Sequence, residues 1–273
     1  MTNSEWQPVR GTLMTSSPIK AYGGFSIPRT ALRSFAEELN TGGVPFHLDH
    51  DASKPLRMRS FKAFVATRDD GVDELRFTAE LHEDDLPWLN SRPGVSATLM
   101  VPLPRDRSRA DPDTVTIQFG ADHAWFSDGV LLDVESELVS WGVGRDQISV
   151  RRAYQFSLVP DPQIYLDITY AIFVSLSAGV LWGGIKKVFG QRRTPEGGDA
   201  TKPTSVNISL VDGNRRLTAV VTTSDEEIAH RAVESLDGAI EGFFQSREVR
   251  PGESKRSAVT SWDDEAGRWT PPT

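Results

Sequence analysis

Apolar residues recur with two different periods along this chain. In "SIPRTALRSFAEEL" (Ser26 to Leu39), Leu32, Phe35, Ala36 and Leu39 fall at helical spacing behind Pro28, a residue suited to a first helical turn, and "NTGG" ends the run. The spacing predicts a short amphipathic helix. Period two takes over in "SFKAFVAT" and "DELRFTAEL", where Phe61, Ala63 and Val65 alternate, then Leu75, Phe77 and Ala79, with "RDDGV" between them. These two segments read as a hairpin. "PGVSATLMVPL", "TVTIQF" and "RRAYQFSLVPDP" add three further strands, the last stopped by Pro160 and Pro162. Residues 9–163 therefore read as a mainly β domain with small helices.

The pattern changes at Ile164. Ile168 to Ile185, "ITYAIFVSLSAGVLWGGI", is a run of 18 residues without charge, followed by Lys186, Lys187, Arg192 and Arg193. Residues 164–190 are expected to form one apolar helix. It is either buried, with Gly179 and Gly183 allowing close backbone contact, or membrane-associated, since its length is at the lower edge of a span. A polar linker (191–204) leads to "SVNISLVDGNRRLTAVVTT", whose Asp212-Gly213 marks a second hairpin. A helix follows, with Ser224 and Glu227 in a capping-box pattern and Ile228, Ala232, Leu236, Ile240 and Phe243 on one face. Residues 205–247 thus form a hairpin-plus-helix module, and 248–273, rich in Pro, Ser and charge, read as a disordered tail. The fold class expected is α+β: a mainly β N-terminal domain and a small helix-hairpin-helix C-terminal domain.

Composition narrows the chemistry. The 30 basic and 38 acidic residues give a net charge of -8, with the basic residues scattered along the chain, so nucleic acid is not an expected partner. With no cysteine, thiolate nucleophiles, disulfides and sulfur-bound zinc are excluded. The N-terminus lacks a basic region followed by an apolar run, and a cytoplasmic location is expected.

Chemistry-bearing residues concentrate in "GGVPFHLDHDASKPLRMRS", where His47, Asp49, His50 and Asp51 fall within five positions. As metal ligands, His47, Asp49 and His50 would need partners from among His82, His123 and His230. As a general base, His50 would need a serine hydroxyl whose proton it could take, and Ser96 in "RPGVSATLMV" follows a turn able to offer N–H groups to an oxyanion. As a polar loop, the cluster would carry no chemistry.

A helix, then "HLDHD" with a proline after three residues, an acidic-turn hairpin, "GVSATL" and "AYQFSLVPDP" come in an order that resembles the prohead (capsid-maturation) serine proteases of tailed phages, relatives in fold of the herpesvirus assembly proteases. The resemblance covers about Leu13 to Pro162. It implies a serine endopeptidase in which His50 is the base and Ser96 the nucleophile, acting on a protein or peptide substrate without cofactor or metal. The third member is open. Gln155 stands where the family's closing strand has glutamate, and His123, Asp122 or Asp49 could serve instead; Thr98 replaces the glycine of the family's "S-x-G". These two departures leave a degenerate, non-enzymatic binding or assembly module as the alternative.

The C-terminal pattern Val206, Ile208, Leu210, Asp212, Gly213 with its capped helix is similar to the effector-associated constant component modules of bacterial conflict systems. That resemblance implies a bacterial defence effector, recruited to a partner protein through its C-terminal part, with an oligomer or a membrane tether through Ile168 to Ile185 as further options.

Overall fold

The computed structural model describes residues 5–42, 47–48, 51–87, 95–96, 98–103, 114–155, 160–176, 178–244 and 256–272. Strands predominate, with a few helices among them, consistent with an α+β class. The chain divides into two compact units, Met1–Leu99 with Gln155–Pro160, and Met100–Tyr154 with Asp161–Thr273. The boundary expected between residues 163 and 164 is therefore misplaced.

The first unit contains β1 (Trp6–Thr15), α1 (Arg29–Gly42), β2 (His47–Leu48), β3 (Asp51–Pro55), β4 (Met58–Thr67), β5 (Asp73–His82) and β6 (Val95–Ser96). An antiparallel sheet of order β1-β5-β4 buries Leu75, Phe77 and Ala79 against Leu32, Ala36 and Leu39 of α1. The helix supplies the apolar stripe and β5 the alternating row, so each covers what the other cannot expose to water. Gly11 is the residue that lets β1 close on this core: a Cβ there would come within 2.8 Å of Phe77 Cε1. Asn40, on the last turn of α1, donates from Nδ2 to Ala63 O (3.0 Å) and accepts at Oδ1 from Ala63 N–H (2.8 Å), pairing with β4 as a neighbouring strand would. Gly71, at φ 84, makes the β4–β5 turn.

The second unit is built on an eight-stranded sheet. Its strands are β7 (Thr98–Pro102), β8 (Ile117–Asp122), β9 (Ile148–Gln155), β10 (Gln163–Thr169), β11 (Thr204–Asp212), β12 (Arg215–Thr223), β13 (Arg256–Asp263) and β14 (Arg268–Trp269), in the order β14-β13-β12-β11-β10-β8-β9-β7. Among the described pairings three are parallel, β8–β9, β10–β11 and β12–β13. Parallel neighbours need a crossover, and each crossover here carries helix: α2 (Asp128–Ser140), then α3 (Tyr170–Ser175) with α4 (Ala178–Phe189), then α5 (Glu226–Glu234) with α6 (Leu236–Phe244). α4 packs on α2 with Gly184 beside Val134, where a Cβ would make an ordinary 3.4 Å contact with Val134 Cγ1.

Three expectations are corrected by this sheet. Residues 164–190 are not one helix. Ile164, Leu166 and Ile168 are buried with period two while Tyr165 and Asp167 point the other way, so this segment is a central strand paired to β8 and β11. The helical part breaks again at Leu176, which is extended (φ -96, ψ 143). Among the described residues no helix is long and apolar enough to cross a membrane. The segment 248–273 is not a disordered tail throughout: β13 lies parallel to β12 with Ala258 and Thr260 buried, and Trp269 Nε1 donates to Ala232 O at 3.1 Å. Finally, the cap of α5 is Asp225 rather than Ser224; its carboxylate accepts from Glu227 N–H at 2.8 Å.

Candidate functional site

Ser96 ends β6 and lies in antiparallel register with His47 of β2, while Leu48 pairs with Val95. β2 also pairs with β3, Leu48 opposite Asp51, giving a small sheet of order β3-β2-β6. Neighbouring strands are about 4.7–4.9 Å apart. The backbone of Ser96 is thus one strand spacing from that of His47. Asp49 and His50 lie outside the described residues, between Leu48 and Asp51 in the chain. The pairing brings the serine-bearing strand to the histidine-bearing segment, two elements nearly fifty positions apart in sequence.

Gln155 belongs to the same unit. It is fully buried, and one tyrosine hydroxyl fixes its backbone: Tyr22 Oη accepts from Gln155 N–H at 2.8 Å and donates to Gln155 O at 3.2 Å. An amide in this position carries no charge with which to stabilise an imidazolium.

Asp122 and His123 belong to the second unit. Asp122 ends β8, fully buried, and its Oδ1 accepts from Ala124 N–H at 2.9 Å, shaping the turn that leads to α2. His123 is held through its backbone from both sides, its N–H donating to Ala153 O (2.9 Å) and its carbonyl accepting from Arg193 Nη2 (2.5 Å). Its Nδ1 is 3.6 Å from Asp128 Oδ1, and its ring is 5.6 Å from that of Tyr154. Arg152 clasps Asp128 with both Nε and Nη2.

The electrostatics follow from this geometry. Burial and the Arg152 cation push the His123 pKa below its usual value, with Asp128 pulling the other way. Burial and the cation both favour the neutral imidazole. Arg152 holds the Asp128 carboxyl below the usual carboxylate range, against the opposing effect of burial. This Asp-Arg-His cluster escaped the sequence reading because Asp128 and Arg152 are 24 positions apart; the parallel pairing of β8 with β9 brings them together.

No group of three or more metal-ligating side chains occurs among the described residues. A cavity of about 460 Å³ in the second unit is lined by Phe189, Arg192, Thr194, Thr204 and Ser224 among others. Its one cation is already engaged. Arg192 donates to the carbonyls of Lys202 and Ala200 and stacks 4.4 Å from the Trp125 ring centroid, which makes it a clip for the turn before β11. No family model, curated protein or solved structure matches this chain.

Proposed function

We propose that the protein is a serine endopeptidase of the prohead-protease type, with Ser96 as nucleophile and His50 as general base. The observation that carries this reading is the register of β6 against β2, which sets Ser96 opposite His47, a residue three positions before His50 in the chain. The base takes the Ser96 proton as the hydroxyl attacks a peptide carbonyl and returns it to the leaving amine. On this reading the first unit is the catalytic part. The second unit, whose hairpin β11–β12 carries the Val206 to Gly213 pattern, recruits a partner protein in a bacterial defence setting.

Gln155 favours a second reading, a binding module that has lost catalysis, because an uncharged amide fixed in the interior cannot replace the family's glutamate. A fluorophosphonate probe distinguishes the two. The wild-type chain should be labelled, Ser96→Ala should not, and His50→Gln should lower the labelling rate about a hundredfold or more. A folded wild-type chain that the probe leaves unlabelled overturns the endopeptidase reading and leaves the binding module.

A further inference from the structure

The face of the β1-β5-β4 sheet turned away from α1 collects residues that are far apart in sequence. Register places Arg10 opposite Thr78, and Thr78 opposite Lys62, in one row across the three strands. The next row is Thr12, Arg76 and Phe64; on the other side come Pro8, Glu80 and Arg59. The face thus carries four cations, Arg10, Arg59, Lys62 and Arg76, and two carboxylates, Glu74 and Glu80. Both carboxylates are taken: Arg59 Nε donates to Glu80 at 3.0 Å and Arg76 Nε to Glu74 at 2.7 Å.

Arg10 and Lys62 are exposed, and among the described residues neither makes an ion pair or hydrogen bond through its side chain. Two strand spacings separate them, about 10 Å. Phe64 is 39% exposed and lies two residues along β4 from Lys62, roughly 7 Å away. An antiparallel sheet with one wet face is expected to be polar there. That expectation does not account for two unmatched cations in one row beside an exposed aromatic ring. A row of free positive charge next to an open ring matches an extended chain of phosphates with unstacked bases.

We propose that this face binds single-stranded nucleic acid, with Arg10 and Lys62 on the phosphates and Phe64 under a base. The scattered basic residues of the sequence had argued against such a partner; strand pairing brings four of them together. The overall charge of -8 does not forbid it, because even at about 25 mM salt charges farther away than a Debye length of about 20 Å are largely screened.

Fluorescence anisotropy of the full chain with a labelled oligothymidylate of about 12 nucleotides tests the proposal. Saturable binding is expected at roughly 25 mM salt, weakening about tenfold by 150 mM, as two phosphate contacts on a single strand would give. Arg10→Glu with Lys62→Glu should abolish it. Phe64→Ala should weaken it about fivefold or more with the salt slope unchanged, as loss of one stacked base requires. All three positions are exposed, and melting curves check that the variants fold. Three outcomes each overturn the inference: no binding at low salt, wild-type binding by the charge-reversed variant, or a silent Phe64→Ala with heparin bound as well as the oligonucleotide.

Discussion

Asn40 is the position where one side chain substitutes for a missing strand. β4 is an edge of its sheet, and an unpaired edge leaves backbone groups without partners. The Asn40 amide satisfies both polar groups of Ala63, a residue only 4% exposed, at 2.8 and 3.0 Å. Asn40→Ala removes both bonds. Each is worth about 0.5–1.5 kcal/mol net, and because Asn40 itself is exposed, water can reach part of the vacated edge, which leaves an expected loss of about 1–3 kcal/mol. For a unit of this size that corresponds to a fall of roughly 4–8 °C in Tm per kcal/mol. Urea denaturation measures the loss, and amide hydrogen exchange at Ala63 locates it. Asn40→Asp adds a check of sign. The carboxylate keeps the acceptor for Ala63 N–H but faces Ala63 O without a donor, so this variant should regain stability when acidification protonates it. A loss below about 0.5 kcal/mol with Ala63 still protected would refute the reasoning, since those two bonds would then contribute nothing that water does not.

Other expected outcomes rest on single contacts. Ser60, in the β4 bulge, has φ 54, a conformation that costs an L-residue about 1–2 kcal/mol. Ser60→Gly should therefore hold or raise stability, while Ser60→Val should lower it, in urea titrations. His123 has a folded pKa below its unfolded value near 6.5, so the unfolded chain binds the proton first. Stability should fall as pH drops through about 6.5, and His123→Gln should flatten that part of the pH profile measured by calorimetry. Desolvation by the surrounding strands pushes the Asp167 carboxyl up, with Arg216 at 3.5 Å opposing, but its side chain is 38% exposed, so solvent screens the effect and its ionisation disfavours folding only slightly. Asp167→Asn should raise the melting temperature at pH 7 by a small amount, and the gain should vanish as the pH falls through the carboxylate range.

Where the chain's partners are local, the sequence is informative. The hairpin of β4 and β5 and helix α1 follow from spacing alone, because the residues that bury one another lie within one or two elements. The Arg256–Asp263 strand was hidden for the opposite reason. "RSAVTSWD" is largely polar, and of its residues Ala258 and Thr260 are buried; what makes it a strand is the free edge of β12, more than thirty residues earlier. The run after Ile164 misled in another way. It is apolar enough for a helix, and a central strand buried on its helix-covered side cannot be told from a buried helix by hydrophobicity. What separated them was Tyr165 and Asp167, two polar-edged residues at alternate positions, the period-two signal within an apolar run.

The candidate sites follow the same logic. Ser96 and the histidine segment were chosen by residue type and order, yet only the β2–β6 register brings them side by side, and that register is fixed by backbone pairing which no local pattern encodes. The row of Arg10, Thr78 and Lys62 is more hidden still, since it needs two antiparallel pairings at once. Both arrangements hang on β-pairing, in which a slip of one residue turns every side chain to the opposite face. A single bulge therefore has consequences beyond its own residue. The extra residue at Ser60 changes the register between Arg59 and Lys62, so that Arg59 faces Glu80 while Lys62 faces Thr78. Laid out as a regular strand, the same residues would alternate without a break, and Lys62 and Phe64 would face outward only if Arg59 turned in toward the core. The bulge at Ser60 absorbs the odd spacing between Arg59 and Lys62 and so keeps Arg59, Lys62 and Phe64 on one face of the strand.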